Sequence, residues 1–167
     1  MQDSLTCSFT GHRTIPVAHL ATLSDLLSRA VAYAYGEGCR TFYAGGALGF
    51  DTYAARAVIS FRVTHRDVRL VLLLPCLDQA KAWSAHGRAE YEWILGQADE
   101  VQYFADAYTK DCMRLRNLAL AERGDLLIAY VGHERSGAAQ TLRAAARLGK
   151  RVYNLFPSAE KTTKSEE

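Results

Sequence analysis

Apolar residues follow two alternating patterns along the chain. Short, nearly unbroken runs at 5–10, 41–44, 68–74, 101–104, 125–131 and 151–155 have the length of strands. Between them, apolar positions recur every three or four residues, the spacing that builds one face of a helix. Leu20, Leu23, Leu27, Ala30 and Ala34 make the first such face, which Gly36 and Gly38 stop. Phe50, Ala54, Ala57, Val58 and Phe61 make the second. The region 80–98 carries Trp83, Tyr91, Ile94 and Leu95, and Leu115, Leu118, Ala119 and Glu122 suggest a fourth helix. A last helix is predicted over 137–148, ending at Gly149. The run at 68–74 lacks polar alternation, as a central parallel strand covered on both faces would, and Pro75 ends it. Strands alternating with helices make βαβ units and a parallel sheet. The predicted architecture is therefore α/β: one Rossmann-like, three-layer domain with a mainly parallel sheet over residues 1–157. The polar stretch 158–167 is predicted to be a flexible, frayed tail.

Composition narrows the choice of function. Of 167 residues, 49% are hydrophobic, enough for a real core and against disorder. The 20 Lys and Arg set against 18 Asp and Glu leave +2, so no strong field points to nucleic acid or to an anionic membrane. The longest apolar run, residues 70–77, is far below the ~20 residues of a membrane-spanning helix. Met1-Gln2-Asp3-Ser4 is not the basic start of a secretory signal. Cys7, Cys39, Cys76 and Cys112 form no CxxC pair, which argues against zinc and for free, buried thiols in a cytoplasmic protein.

Ligands in such folds sit beyond the carboxyl ends of the strands, so the segments that follow strands carry the chemistry. The first is Thr10-Gly11-His12-Arg13, where Gly11 permits close approach and Arg13 offers a planar fork of donors to phosphate or carboxylate. The alternative for this segment is an ordinary turn with a solvated Arg and a surface His. The second is Gly45-Gly46-Ala47-Leu48-Gly49-Phe50-Asp51, whose bare backbone N–H groups at a helix start suit a phosphate. It is neither a GxGxxG fingerprint nor a Walker A loop. Asp51 suits ribose hydroxyls, or else simply favours the helix start. The third is the segment around Ser136, Gly137 and Thr141, which offers hydroxyl and backbone donors, or a plain N-cap by Ser136. Three donor-rich segments converging on one sheet edge suggest a nucleotide pocket.

Cys7-Ser8-Phe9-Thr10-Gly11-His12-Arg13 together with Gly45-Gly46-Ala47-Leu48-Gly49-Phe50-Asp51 resembles the YpsA-like branch of the SLOG superfamily, which groups the DNA-processing protein DprA (Smf) with the cytokinin-activating LOG enzymes. Pro75, Gln79, Trp83, Tyr91, Cys112, Arg116-Asn117 and Asp125-Leu126-Leu127-Ile128-Ala129 extend the likeness over about residues 5 to 155. The resemblance implies a Rossmann-like domain that binds a nucleotide or nucleotide-derived ligand, ADP-ribose-like for instance, in a sensing or regulatory role. It carries ligand contact onto Gly11, Arg13, Gly45, Gly46, Gly49, Asp51 and the Ser136-Gly137 segment. Gln79 and Trp83 are candidate pocket walls, Trp83 stacking on a base or, more simply, filling the core. One departure stands out: Ser136-Gly137-Ala138 replaces the Gly-Gly-Thr loop usual among relatives, which weakens or alters the phosphate side.

Two other functions compete with non-catalytic binding. LOG enzymes resemble one another in Gly-Gly-x-Gly-Thr-x-x-Glu, and aligning that Thr with Thr141 puts Ala144 at the position of the Glu. An alanine can neither activate water nor stabilise an oxocarbenium ion, which argues against N-glycosidic cleavage. Glu134 would serve only from an unusual geometry. Single-stranded DNA binding, by analogy with DprA, requires a basic groove with stacking aromatics, whereas the Lys and Arg here are dispersed. The expected partner is thus a small nucleotide-derived molecule, with no cofactor or metal assigned and a homodimer as the commonest soluble assembly.

Overall fold

In the computed structural model, which describes residues 4–165, six strands and six α-helices alternate through most of the chain. β1 (Leu5–Gly11) leads through a 3-10 turn at Val17–His19 into α1 (Leu20–Gly36). Then come β2 (Cys39–Ala44), α2 (Phe50–Arg62), β3 (Arg69–Leu74), α3 (Ala85–Gln97) and β4 (Glu100–Tyr103). The second half holds α4 (Cys112–Arg123), β5 (Leu126–Tyr130), α5 (Gly137–Arg147), β6 (Arg151–Asn154) and α6 (Phe156–Ser165). Every strand pair is parallel, in the order β4-β3-β2-β1-β5-β6. The fold is the three-layer, Rossmann-like α/β architecture that the alternating pattern predicts.

The twofold period of a strand divides its side chains between two cores. Leu70, Leu72 and Leu74 join the large cluster with Phe9, Phe42, Leu23, Leu27, Val58 and Ile94, beneath α1, α2 and α3. Val71 and Leu73 face the other way, onto Ala119 and Leu120 of α4. Leu127 packs with Ala121 and Ala145 of α4 and α5. The strand 68–74 is therefore covered on both faces, as its unbroken apolar run requires. It is not central, however: β3 lies second from the edge, beside β4. Helices on both faces, rather than flanking strands, bury it.

Two further expectations change. Residues 158–165, predicted to fray, belong to α6. Ala159 is fully buried, Phe156 packs on the core, and His19 meets Glu160 at 2.9 Å. Two apolar residues, Phe156 and Ala159, with the Glu160 ion pair, dock it. On α4 the face is also different. Leu115 and Leu118 are exposed, whereas Cys112, Arg116, Ala119, Leu120 and Ala121 are buried. All four cysteines are buried thiols, and among the described residues no helix is long and apolar enough to cross a membrane.

Candidate functional site

Strand order reverses at β1: the chain steps from β1 outward through β2, β3 and β4, then returns to place β5 on β1's other side. Connections from the carboxyl ends of β1 and β5 leave in opposite directions, and a crevice opens between them. A cavity of about 540 Å³ lies there, within the ~300–1,000 Å³ typical of small-molecule sites. The segment 10–14 after β1, Asp51 of α2, Arg116 and Asn117 of α4, His133, the start of α5 (Ser136, Gly137, Ala138) and Phe156 line it.

The centre of the site is Arg116, only 4% exposed. Its Nε donates to Asn117 Oδ1 at 2.9 Å, and its Nη1 donates to the carbonyl of Gly45. Among the described residues it forms no ion pair, and no acceptor meets its Nη2. Burial pulls its affinity for a proton below the usual arginine range, and Asp51 opposes that pull. A guanidinium so nearly dry, with donors left over and a cavity beside it, suits an anion. The start of α5 adds to this. Ser136 caps the helix by accepting from the N–H of Ala139 at 3.0 Å, while the N–H groups of Gly137 and Ala138 meet no acceptor among the described residues. Asn117 Nδ2 lies 3.1 Å from the point where a Gly137 side chain would begin. The positive end of the α5 dipole and Arg116 thus face one volume.

Asp51 is the one carboxyl among the lining residues. Its Oδ2 accepts from the N–H of Ala47 at 3.2 Å, and burial raises its pKa above the ordinary 3.8 despite Arg116, the Ala47 bond and Arg13. Ionising it therefore costs more in the folded than in the unfolded chain. Its contribution to stability is greatest below pH 3.8 and is lost as pH rises through its raised folded value. Urea unfolding across that window should show the loss in the native sequence, and Asp51→Asn, which keeps an acceptor for Ala47, should lack it. Equal pH slopes for the two proteins would mean that Asp51 ionises freely.

Of the residues the sequence singles out, the structure gathers Gly11, Arg13, Asp51, Ser136 and Gly137 around the cavity. Gly45, Gly46, Gly49, Gln79, Trp83 and Thr141 are not in its lining. Gly45 is instead the seat of Arg116: a Cβ there would fall 2.6 Å from Nη1 and 2.9 Å from Asp51 Oδ2. The carbonyl of Gly46 accepts from Gln79 Nε2 at 3.0 Å, so Gln79 braces the glycine segment from behind. Trp83 packs edge-on against Tyr91, their rings 5.2 Å apart. Thr141 donates its hydroxyl to Gly137's carbonyl at 2.9 Å, inside its own helix. At Gly49, φ is +78° and a Cβ would fall 2.1 Å from the carbonyl oxygen of Arg13. The glycine segment therefore packs directly against the backbone that carries Arg13, and the N–H of Phe50 donates to His12's carbonyl at 3.1 Å.

Sequence reasoning did not assign Arg116, Asn117, His12, His133 or Phe156 to the site. For Arg116 a signal existed: it stands four residues after Cys112 and three before Ala119, in register with the buried face of α4. A charge at a core position is a pointer to function, and the two exposed leucines concealed it.

The YpsA family model, described as the YspA SLOG family, matches residues 11–155. A UPF0398 protein from Bacillus thuringiensis (strain Al Hakam) is 29% identical over 131 residues, covering 75% of this chain and 69% of that one. Among solved structures, DNA processing protein A (DprA) from Streptococcus pneumoniae superposes with a TM-score of 0.65 at 17% identity, over 90% of this chain. This chain spans only 50% of that protein. DprA from Helicobacter pylori, whose structure addresses its single-stranded DNA binding mode, gives 0.62 at 19% identity over 89% of this chain and 64% of its own. At such identities the likeness speaks for the fold. It lends no support to setting nucleic acid aside.

Proposed function

This chain belongs to the YspA SLOG family, and from that premise we propose that its cavity binds a nucleotide or nucleotide-derived ligand, ADP-ribose-like for instance, without turning it over. The observation that carries this reading is Arg116, buried, unpaired with any carboxylate among the described residues, and beside the open N–H groups of α5. On this reading a phosphate lies between Arg116, Arg13 and Gly137–Ala138, and Asp51 accepts from ribose hydroxyls. The phosphate on this reading sits away from the Gly45-Gly46 segment, because neither glycine lines the cavity. Turnover of the LOG type is not expected: Ala144 packs beside the small cluster of Leu127 and Ala145, and Asp51 is the single carboxyl in the lining.

Calorimetric titration with adenosine monophosphate, ADP-ribose and ribose 5-phosphate tests the reading, with a single-stranded oligonucleotide at ~0.15 M salt as the competing ligand. Arg13→Ala is expected to cost about 1.5–3 kcal/mol of binding, or one to two decades in Kd, with the melting temperature of the free protein unchanged. Arg13→Lys should recover only part of that, since the paired donors are lost. No binding of any of the phosphate compounds, or equal binding by Arg13→Ala, would overturn the assignment. Tight binding of the oligonucleotide alone would favour a DNA-binding role. Release of free base from the monophosphate, abolished in Asp51→Asn, would replace binding by hydrolysis.

A further inference from the structure

At the mouth of the cavity two imidazole rings lie face to face. His12 and His133 have centroids 4.1 Å apart and an interplanar angle of 1°. They come from different strand ends, one following β1 and the other following β5, and both line the cavity.

The lower ring is held from several sides. His12 Nε2 accepts the N–H of Gly132 at 2.8 Å, which leaves the proton of the neutral ring on Nδ1. Its backbone N–H donates to Tyr130's carbonyl at 3.2 Å. Tyr130 and Phe156 meet its ring edge-on, at 5.9 and 6.3 Å. Burial, then the neighbouring His133, hold its pKa below the usual histidine range, so at neutral pH the pair does not confront two cations. The upper ring is different. His133 is exposed, and among the described residues His12 is its one aromatic neighbour. A flat, amphipathic ring is thus fixed on one face and open on the other, four residues before the start of α5.

We propose that His133, layered on His12, is the stacking platform for the planar heterocycle of the bound ligand, so that the site selects a nucleotide over a bare sugar phosphate. The proposal rests on the nucleotide reading above and adds to it the base subsite, in the place first considered for Trp83. A planar heterocycle laid on His133 extends a stack of two rings to three, and such contacts tolerate any base because each has a π-face. The exposed ring costs little in the empty protein, since imidazole is readily hydrated.

The experiment compares two ligands that differ only by the base. His133→Ala is expected to weaken adenosine monophosphate about tenfold, the scale of one base–aromatic stack, and to leave ribose 5-phosphate unchanged. His133→Phe should restore the nucleotide affinity, and the melting temperatures of both variants should match the native protein. If His133→Ala binds the nucleotide as well as the native protein does, or loses both ligands equally, the platform is refuted while the phosphate site stands. If neither ligand binds the native protein, the nucleotide reading fails and this inference falls with it.

Discussion

Arg116→Met is expected to abolish binding of every phosphate-bearing ligand and to destabilise the empty protein at the same time. Methionine replaces the side chain's apolar stem but leaves the Gly45 carbonyl and Asn117 Oδ1 without the donors they now have. At ~1–3 kcal/mol for a buried acceptor left unmet, the loss is about 3 kcal/mol. For a domain of this size that is a fall of roughly 6–12 °C in Tm. It also removes the cation that opposes the raised pKa of Asp51, so the acid should titrate still higher. Arg116→Lys keeps a charge but not the fork, and should recover stability better than affinity. Differential scanning calorimetry and titration with adenosine monophosphate read the two effects separately. Full affinity in Arg116→Met would remove Arg116 from the anion site.

Gly49→Ala is expected to damage the fold more than any other single methyl group near the site. The left-handed φ of +78° costs an L-residue about 1–2 kcal/mol before any contact is counted. The new Cβ would then stand 2.1 Å from a backbone oxygen, that of Arg13, which cannot swing away as a side chain would. The two segments must part, at a total of more than ~3 kcal/mol. Because the displaced backbone carries Arg13, the variant should also lose the part of the affinity that Arg13→Ala removes, and combining the two substitutions should cost little further binding. Thermal unfolding gives the first number, and titration of the double variant gives the second. Independent, additive losses in binding would mean that Gly49 does not position Arg13.

These two residues mark where the sequence is legible and where it is not. Glycines at 45, 46 and 49 announce a tight segment after β2, and their spacing is visible in any reading of the chain. What each glycine accommodates is not visible, because the crowding atoms come from residues distant in sequence: Arg116 over Gly45 and Arg13 against Gly49. Donor-rich residues at strand ends announced a cavity, and Gly11, Arg13, Asp51, Ser136 and Gly137 do line it. The carbonyls of Gly45 and Gly46 are bound by Arg116 and Gln79, partners that the glycine spacing does not disclose. The α6 helix was missed for a similar reason: its short apolar stripe becomes decisive only once α1, with His19 just before it, stands beside it.

The sequence by itself determined the alternation of strands and helices, the parallel sheet it entails and the strand ends whose following segments line the cavity. Those follow from periodicity, since a period of two or of 3.6 is a local property of the chain. Only the tertiary structure decided which strand stands beside which, and so where the order reverses and the crevice opens. Only it turned the polar member of α4's buried face inward to make Arg116 the centre of the site, and laid His133 on His12. Such pairings depend on contacts between residues some seventy to one hundred and twenty positions apart, as from Arg116 to Gly45 and from Gly132 to His12, which chain closure and packing select and no local pattern records.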